Sequence, residues 1–224
     1  MSDTLTNSKK FRLAVLISGS GTTMVNLQKE ILKGNVPAEI VVVVSSRSGV
    51  LGLERAKELG LKTEILGRKR FRNDSGFDND AYSNALKDLL LPYKPDLAVM
   101  AGFMTKLGSG FVDVISTVNV HPALLPSFGG EGFYGHHVHE AVLKSGVKLS
   151  GATVHFADCA YDRGPIIMQK SVPVLEWDTP DLLADRVQEV EREIYPRAIA
   201  LIAKGLVKID GEKTVILKNS EEKL

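Results

Sequence analysis

Four short, unbroken apolar runs divide the first half of the chain: LAVLI (residues 13–17), EIVVVV (39–44), DLAVMA (96–101) and TVNV (117–120). A strand with one wet face alternates apolar and polar side chains. Runs without alternation, rich in β-branched residues, belong to strands covered on both faces, as in a parallel sheet between helical layers. The stretches between them (23–33, 51–59 and 80–90) carry helical patterning. Strand alternating with helix predicts an α/β, doubly wound, mostly parallel sheet.

Past Val142 the pattern changes. Residues 152–156 and 166–174 read as two nearby strands, antiparallel at one side of the sheet. A long helix follows over Pro180–Ala203, with Thr179 as N-cap and Asp181 in its first turn. Pro196 inside it predicts a kink or break near Tyr195. Gly205 suits the position just past the helix end, and Asp210-Gly211 between alternating runs predicts a small C-terminal hairpin. One domain is expected over residues 12–217, between a flexible polar tail at 1–11 and a polar tail at 218–224.

With 224 residues, 44% of them hydrophobic and 25% charged, a full core can be buried. A formal net charge of +1 argues against nucleic-acid or membrane-surface partners and leaves small molecules. Cys159 is the only cysteine, which fits a reducing compartment. No apolar run approaches the roughly 20 residues of a membrane span, and the polar N-terminus lacks a signal core and is too short and too acidic for a plastid leader. The cytoplasm is the expected location. Monomer and homodimer both remain open.

The turn Ser18-Gly19-Ser20-Gly21-Thr22-Thr23 joins the first strand to the first helix. Glycines there let an anion approach the free N–H groups of the helix start. Met24 stands where a dinucleotide fingerprint has its third glycine, and Ser45-Ser46-Arg47 replaces the acidic residue expected after the second strand. NAD is disfavoured; NADP stays open because of Arg47; a phosphomonoester fits more simply at Gly21, Thr22 and Thr23.

All five histidines fall between residues 121 and 155. Asn119 and His121 end a predicted strand two residues apart, so both face one place at the rim where doubly wound sheets bind ligands. An amide N–H beside an imidazole can stabilise a developing oxyanion. His136, His137 and His139 sit in an early helical turn where only some can converge, with no Cys or Asp to complete a zinc pattern; no metal is expected. His136 and His139 read as solvated or capping, and His155 as a core histidine or a supporting one.

The segments SGSGTTMVNLQ, AGFMTKL, NVHPALLPSF, GATVHFAD, YDRGPIIMQ and VEREIYP occur in this order over residues 12–205. Together they resemble the folate-dependent phosphoribosylglycinamide formyltransferases. The resemblance implies formyl transfer from 10-formyltetrahydrofolate to the amine of a ribonucleotide, without a metal. It places Asn119, His121 and Asp162 on catalytic positions, and Gly21, Thr22 and Thr23 on the phosphate cradle. Met104, Thr105, Lys106 and Leu107 match the stretch whose backbone meets the folate pterin. Asp158, Cys159, Ala160, Tyr161 and Asp162 match a second folate loop, and Asn119 is counted among the folate-binding residues too. Gln188, Glu189, Val190 and Glu191 match the helical segment against the ribonucleotide, with Glu191 suited to hold its amine. His137 falls on an active-site histidine.

The chain departs from the pattern at Thr23, at Arg163 beside Asp162, in a longer 129–135 loop, and at Asn79, where the family carries a folate-side arginine. An arginine meeting Asp162 would weaken its help to His121. The implied mechanism is direct attack by the amine, with protonated His121 and the Asn119 amide binding the oxyanion. Asp162 favours the imidazolium and orders a water that carries the proton. A formyltetrahydrofolate hydrolase of the same fold and a non-catalytic nucleotide-binding module are the competing readings.

Overall fold

The computed structural model describes residues 10–218 except Ser75. The expected tails lie outside the described residues apart from Lys10, Phe11 and Lys218, and Phe11 already belongs to the first strand. In chain order the elements are β1 (Phe11–Ile17), α1 (Thr22–Leu32), β2 (Ala38–Ser45), α2 (Leu51–Glu58), β3 (Thr63–Ile65), β4 (Arg72–Asn73), β5 (Gly76–Phe77), α3 (Asn79–Leu90), β6 (Leu97–Met100), α4 (Ser109–Val112) and β7 (Thr117–His121). Then come α5 (His136–Ser145), β8 (Leu149–Phe156), β9 (Ile166–Pro173), α6 (Pro180–Ala203), β10 (Val207–Asp210) and β11 (Lys213–Ile216).

Seven strands form the main sheet in the order β3-β2-β1-β6-β7-β8-β9. The first five are parallel; β8 and β9 pair antiparallel at one edge. The unbroken apolar runs are explained by burial on both faces. Leu13, Val15 and Ile17 of β1 enter one core with Met24, Val138 and Val187, whereas Ala14 and Leu16 enter the other with Tyr82, Leu86 and Phe111. The strand period of two thus feeds two helical layers at once.

Helix α6 starts as expected, with Thr179 Oγ1 accepting the Leu182 N–H at 3.3 Å, and ends at Gly205 with φ 68°. The break expected near Tyr195 is absent: the helix runs unbroken through Pro196. Proline has no N–H, so the Arg192 carbonyl loses its helical donor four residues on. Asn26 of α1 supplies the replacement, its Nδ2 donating to Arg192 O at 2.9 Å. Burial of Val187, Ile194, Tyr195 and Ile199 holds the helix on the sheet against the proline's local cost. The hairpin at Asp210-Gly211 forms as β10–β11 and is tied to the body by Thr214 Oγ1, which donates to Ile166 O at 2.6 Å.

Candidate active site

Strand order reverses between β1 and β6, because β1 leads outward to β2 on one side and β6 leads to β7 on the other. The loops after these two strands part there and open a crevice at the carboxyl ends of the strands. Ser18 ties the two lips: its Oγ accepts the Met104 N–H at 3.0 Å and lies 2.7 Å from Ser46 Oγ. The glycine turn packs tightly on the start of α2. A Cβ at Gly21, where φ is 71°, would lie 2.7 Å from Gly52 Cα, so the loop needs glycine for both its space and its conformation.

A cleft of about 790 Å³ occupies this crevice. Its floor is built by β7, β8 and the loop that follows β8. Antiparallel pairing sets His155 directly across from Asn119 and Thr153 across from His121. His155 donates from Nδ1 to the Phe156 carbonyl at 2.8 Å, which leaves its Nε2 toward Asn119 Nδ2 at 3.5 Å. Burial is the main cause that holds the His155 pKa below its ordinary value. Its neutral ring can therefore accept one amide N–H of Asn119 and leave the other aimed at the cleft.

Asp162 reaches the same floor from a backbone with φ 54°, a conformation Asp tolerates better than most residues. Its Oδ2 lies 3.4 Å from His121 Nδ1 and accepts the Gly130 N–H at 3.0 Å; its Oδ1 lies 3.7 Å from His155 Nε2. On the other edge of the His121 ring, Nε2 lies 2.8 Å from the Phe128 carbonyl. Two oxygens flank the two ring nitrogens, so a doubly protonated ring satisfies both. Arg163 is exposed and forms no ion pair with Asp162, so the weakening expected from it does not arise through contact. Gly164 seats the loop against β8, where any Cβ would collide with the Phe156 carbonyl.

The walls sort the remaining candidates. Met104, Thr105, Lys106 and Leu107 line one wall, and Asp158, Ala160, Tyr161 and Asp162 line the adjoining one; Lys106 Nζ sits 4.9 Å from the Tyr161 ring centroid. Cys159 is exposed and lies off the cleft. Of the glycine-turn residues, Thr23 reaches the cleft; Gly21 and Thr22 shape the helix start behind it. Across from them α6 contributes Ala184, Val187, Gln188 and Glu191. The four-residue span read from sequence therefore splits by helical period. Gln188 and Glu191 face inward, Glu189 is exposed, and Val190 is core. Burial raises the Glu191 carboxyl to about 7, against a lowering by Arg192.

The α5 histidines are distributed differently from the expectation. His137 does not line the cleft; its ring packs edge-on against Tyr134 at 5.3 Å, with Nδ1 3.5 Å from Glu140. His139, expected to be solvated or capping, is 5% exposed and lines the cleft, as does His136, which meets Asp181 at 3.1 Å. Residues three apart on a helix share a face, and that spacing was the signal separating His136 and His139 from His137. Arg47 and Arg68 also line the cleft, and neither forms a side-chain ion pair among the described residues. Arg68 instead stacks 4.4 Å from the Phe77 ring centroid, and no motif marked it in the sequence.

Residues 11–199 match the formyl transferase family. The trifunctional purine biosynthetic protein adenosine-3 of Bos taurus is 38% identical over 203 residues; the alignment covers 90% of this chain and 19% of that protein, so the chain spans about a fifth of the relative's length. The chloroplastic phosphoribosylglycinamide formyltransferase of Arabidopsis thaliana is 31% identical, with 95% of this chain and 72% of that protein covered. The crystal structure of glycinamide ribonucleotide transformylase 1 from Symbiobacterium toebii superposes with a TM-score of 0.84 at 36% identity, covering 93% of this chain and 95% of that one.

Proposed function

The chain belongs to the formyl transferase family, among its phosphoribosylglycinamide formyltransferases, and from the cleft we propose that it moves a formyl group from 10-formyltetrahydrofolate to the amine of 5-phosphoribosylglycinamide. The observation that carries this reading is the arrangement of the floor. Asn119, His121, His155 and Asp162 meet at the junction of an anion-ready helix start and a second, partly apolar wall.

The folate supplies an N-formyl group as electrophile. The wall at Met104, Thr105, Lys106 and Leu107 suits a flat heterocycle, since it offers backbone groups and the buried Thr105 Oγ1, which has no hydrogen-bond partner among the described residues. Thr23 and the free N–H groups at the start of α1 suit a phosphate, with Arg47 as a second positive contact. Gln188 and Glu191 then stand where the ribose and the amine would lie. Glu191, with its carboxyl at about 7, can take up a proton from the substrate ammonium near neutral pH.

The free amine adds to the formyl carbon to give a tetrahedral oxyanion; one amine proton passes to the folate nitrogen, and the bond from that nitrogen to the carbon then breaks as the carbonyl re-forms. The Asn119 amide, held by His155, and the His121 ring donate to the formyl oxygen as charge develops there. For His121 this requires its Nε2 to exchange the Phe128 carbonyl for the substrate oxygen. Asp162 holds the opposite edge of the ring and can order the water that relays the proton. Among the described residues no helix is long and apolar enough to cross a membrane.

Incubating the purified protein with 10-formyltetrahydrofolate, with and without the ribonucleotide, tests the reading. Formylated ribonucleotide is expected only when both are present. Release of formate irrespective of the ribonucleotide would identify a hydrolase instead, and inertness with both substrates would leave a binding module.

A further inference from the structure

His139 of α5 is buried, lines the cleft, and is not used by the chemistry above. Its Nδ1 is sealed from solvent and has no hydrogen-bond partner among the described residues. A buried polar atom without a partner needs an explanation. Which form of the ring costs least here follows from its surroundings. A sealed N–H would strand a donor, whereas a sealed lone pair strands only an acceptor, which proteins tolerate more often. The proton therefore belongs on Nε2, the ring nitrogen left for the cleft. The charged form is disfavoured as well: burial first, then the positive potential of His136 and of His121, lowers the His139 pKa to about 4.

We propose that His139 is a substrate-contacting residue, a neutral imidazole that donates from Nε2 to an oxygen of the bound ribonucleotide. The ribonucleotide is favoured over the folate by position. Helix α5 packs beside α6, His136 of α5 meets Asp181 of α6 at 3.1 Å, and the cleft lining takes His136 and His139 from α5 and Ala184, Val187 and Gln188 from α6. The wall assigned to the folate, at residues 104–107 and 158–162, belongs to other loops. A neutral donor suits this place. It can hold a sugar or amide oxygen without adding a second positive charge beside His121, where a charged ring would oppose the imidazolium. This inference rests on the formyl-transfer reading.

The test is steady-state kinetics of His139→Ala, His139→Gln and His139→Leu beside the native enzyme, with both substrates varied. His139→Ala and His139→Leu are expected to raise KM for the ribonucleotide about tenfold, the worth of one neutral hydrogen bond, with KM for the folate unchanged. His139→Gln, whose amide N–H can replace Nε2–H, is expected to recover most of the loss. Equal change for both substrates, no recovery by glutamine, or no change at all would overturn the proposal. Should the variants fail to fold, ¹⁵N NMR of the native ring decides. An Nε2–H tautomer whose signal shifts on adding the ribonucleotide alone supports the proposal; an Nδ1–H tautomer or an unmoved signal refutes it. A native enzyme that transfers no formyl group at all would count against the formyl-transfer reading itself, whereas normal native turnover with indifferent His139 variants would remove only this inference.

Discussion

His155 faces Asn119 across the β7–β8 ladder, and its Nε2 lies 3.5 Å from the Asn119 amide nitrogen. The pair makes His155 an orienting group: it fixes which way the carboxamide points. Asn119→Ala is expected to lower kcat by about 10²–10³-fold, the usual cost of one oxyanion donor. His155→Ala should lower it by roughly tenfold to a hundredfold through misplacement of that amide, with both KM values nearly unchanged. A His155→Ala enzyme of native kcat would reduce the residue to a packing role.

Asp162 contacts three groups at once, the rings of His121 and His155 and the Gly130 N–H. Asp162→Asn keeps the shape and an acceptor for Gly130 but removes the charge. Turnover should fall by about 10²–10⁴-fold, the range for a positioned proton-transfer group, while ribonucleotide affinity measured by calorimetry stays within a few-fold. Near-native turnover would strip Asp162 of any part in proton transfer.

The phosphate end can be probed from two directions. Gly21→Val should weaken ribonucleotide binding and lower stability together, because its Cβ would lie 2.7 Å from Gly52 Cα at a φ of 71°. Arg47→Ala should raise KM for the ribonucleotide by about tenfold or more, as expected for a charge-assisted contact, without loss of stability. An Arg47→Ala variant with native KM would place the phosphate away from β2, and tight NADPH binding by the native protein would point to a different anion altogether.

Glu191 makes stability depend on pH. Its carboxyl rises from 4.5 to about 7 in the folded chain, mainly through burial. The folded state thus binds this proton more tightly than the unfolded chain does. The resulting stabilisation is complete below 4.5 and is lost as pH rises through about 7. Thermal unfolding should show the native protein losing Tm relative to Glu191→Gln between about pH 5 and about pH 8. If the two curves run parallel, the carboxyl is not perturbed as described.

Asn26 and Pro196 form a testable couple. Asn26→Ala should cost about 0.5–1.5 kcal/mol, the net worth of one hydrogen bond, because the exposed Arg192 carbonyl then has only water as its donor. In a Pro196→Ala background the residue at 196 supplies its own N–H, so the same Asn26 change should cost much less. Additive effects in chemical denaturation would separate the two residues.

The doubly wound sheet was legible because unbroken runs such as LAVLI have no other stable placement than between two layers. The antiparallel edge was legible from the close spacing of β8 and β9. The glycine turn and the Asn119–His121 pair could be read because they are local, two residues apart or contiguous. What was not legible depends on contacts distant in sequence. Pro196 reads as a break until Asn26, 170 residues earlier, supplies the missing donor. Arg68 carries no motif and lines the cleft from the short helical turn between β3 and β4. The inward turn of His139 rather than His137 was present in the helical spacing, but resemblance favoured the wrong member of the pair for the cleft.

The Asn26–Arg192 bond also has a mechanical meaning. It joins α1, which begins at the glycine turn, to α6, which carries Gln188 and Glu191 into the cleft. Separating these helices would cost the Arg192 carbonyl a protein donor that Pro196 cannot replace. Residues 130–135 line the cleft as well. There Gly130, Gly132 and Gly135 all have positive φ, while the Gly130 N–H and the Phe128 carbonyl bond the loop start to the floor and Phe128 and Phe133 pack against the core.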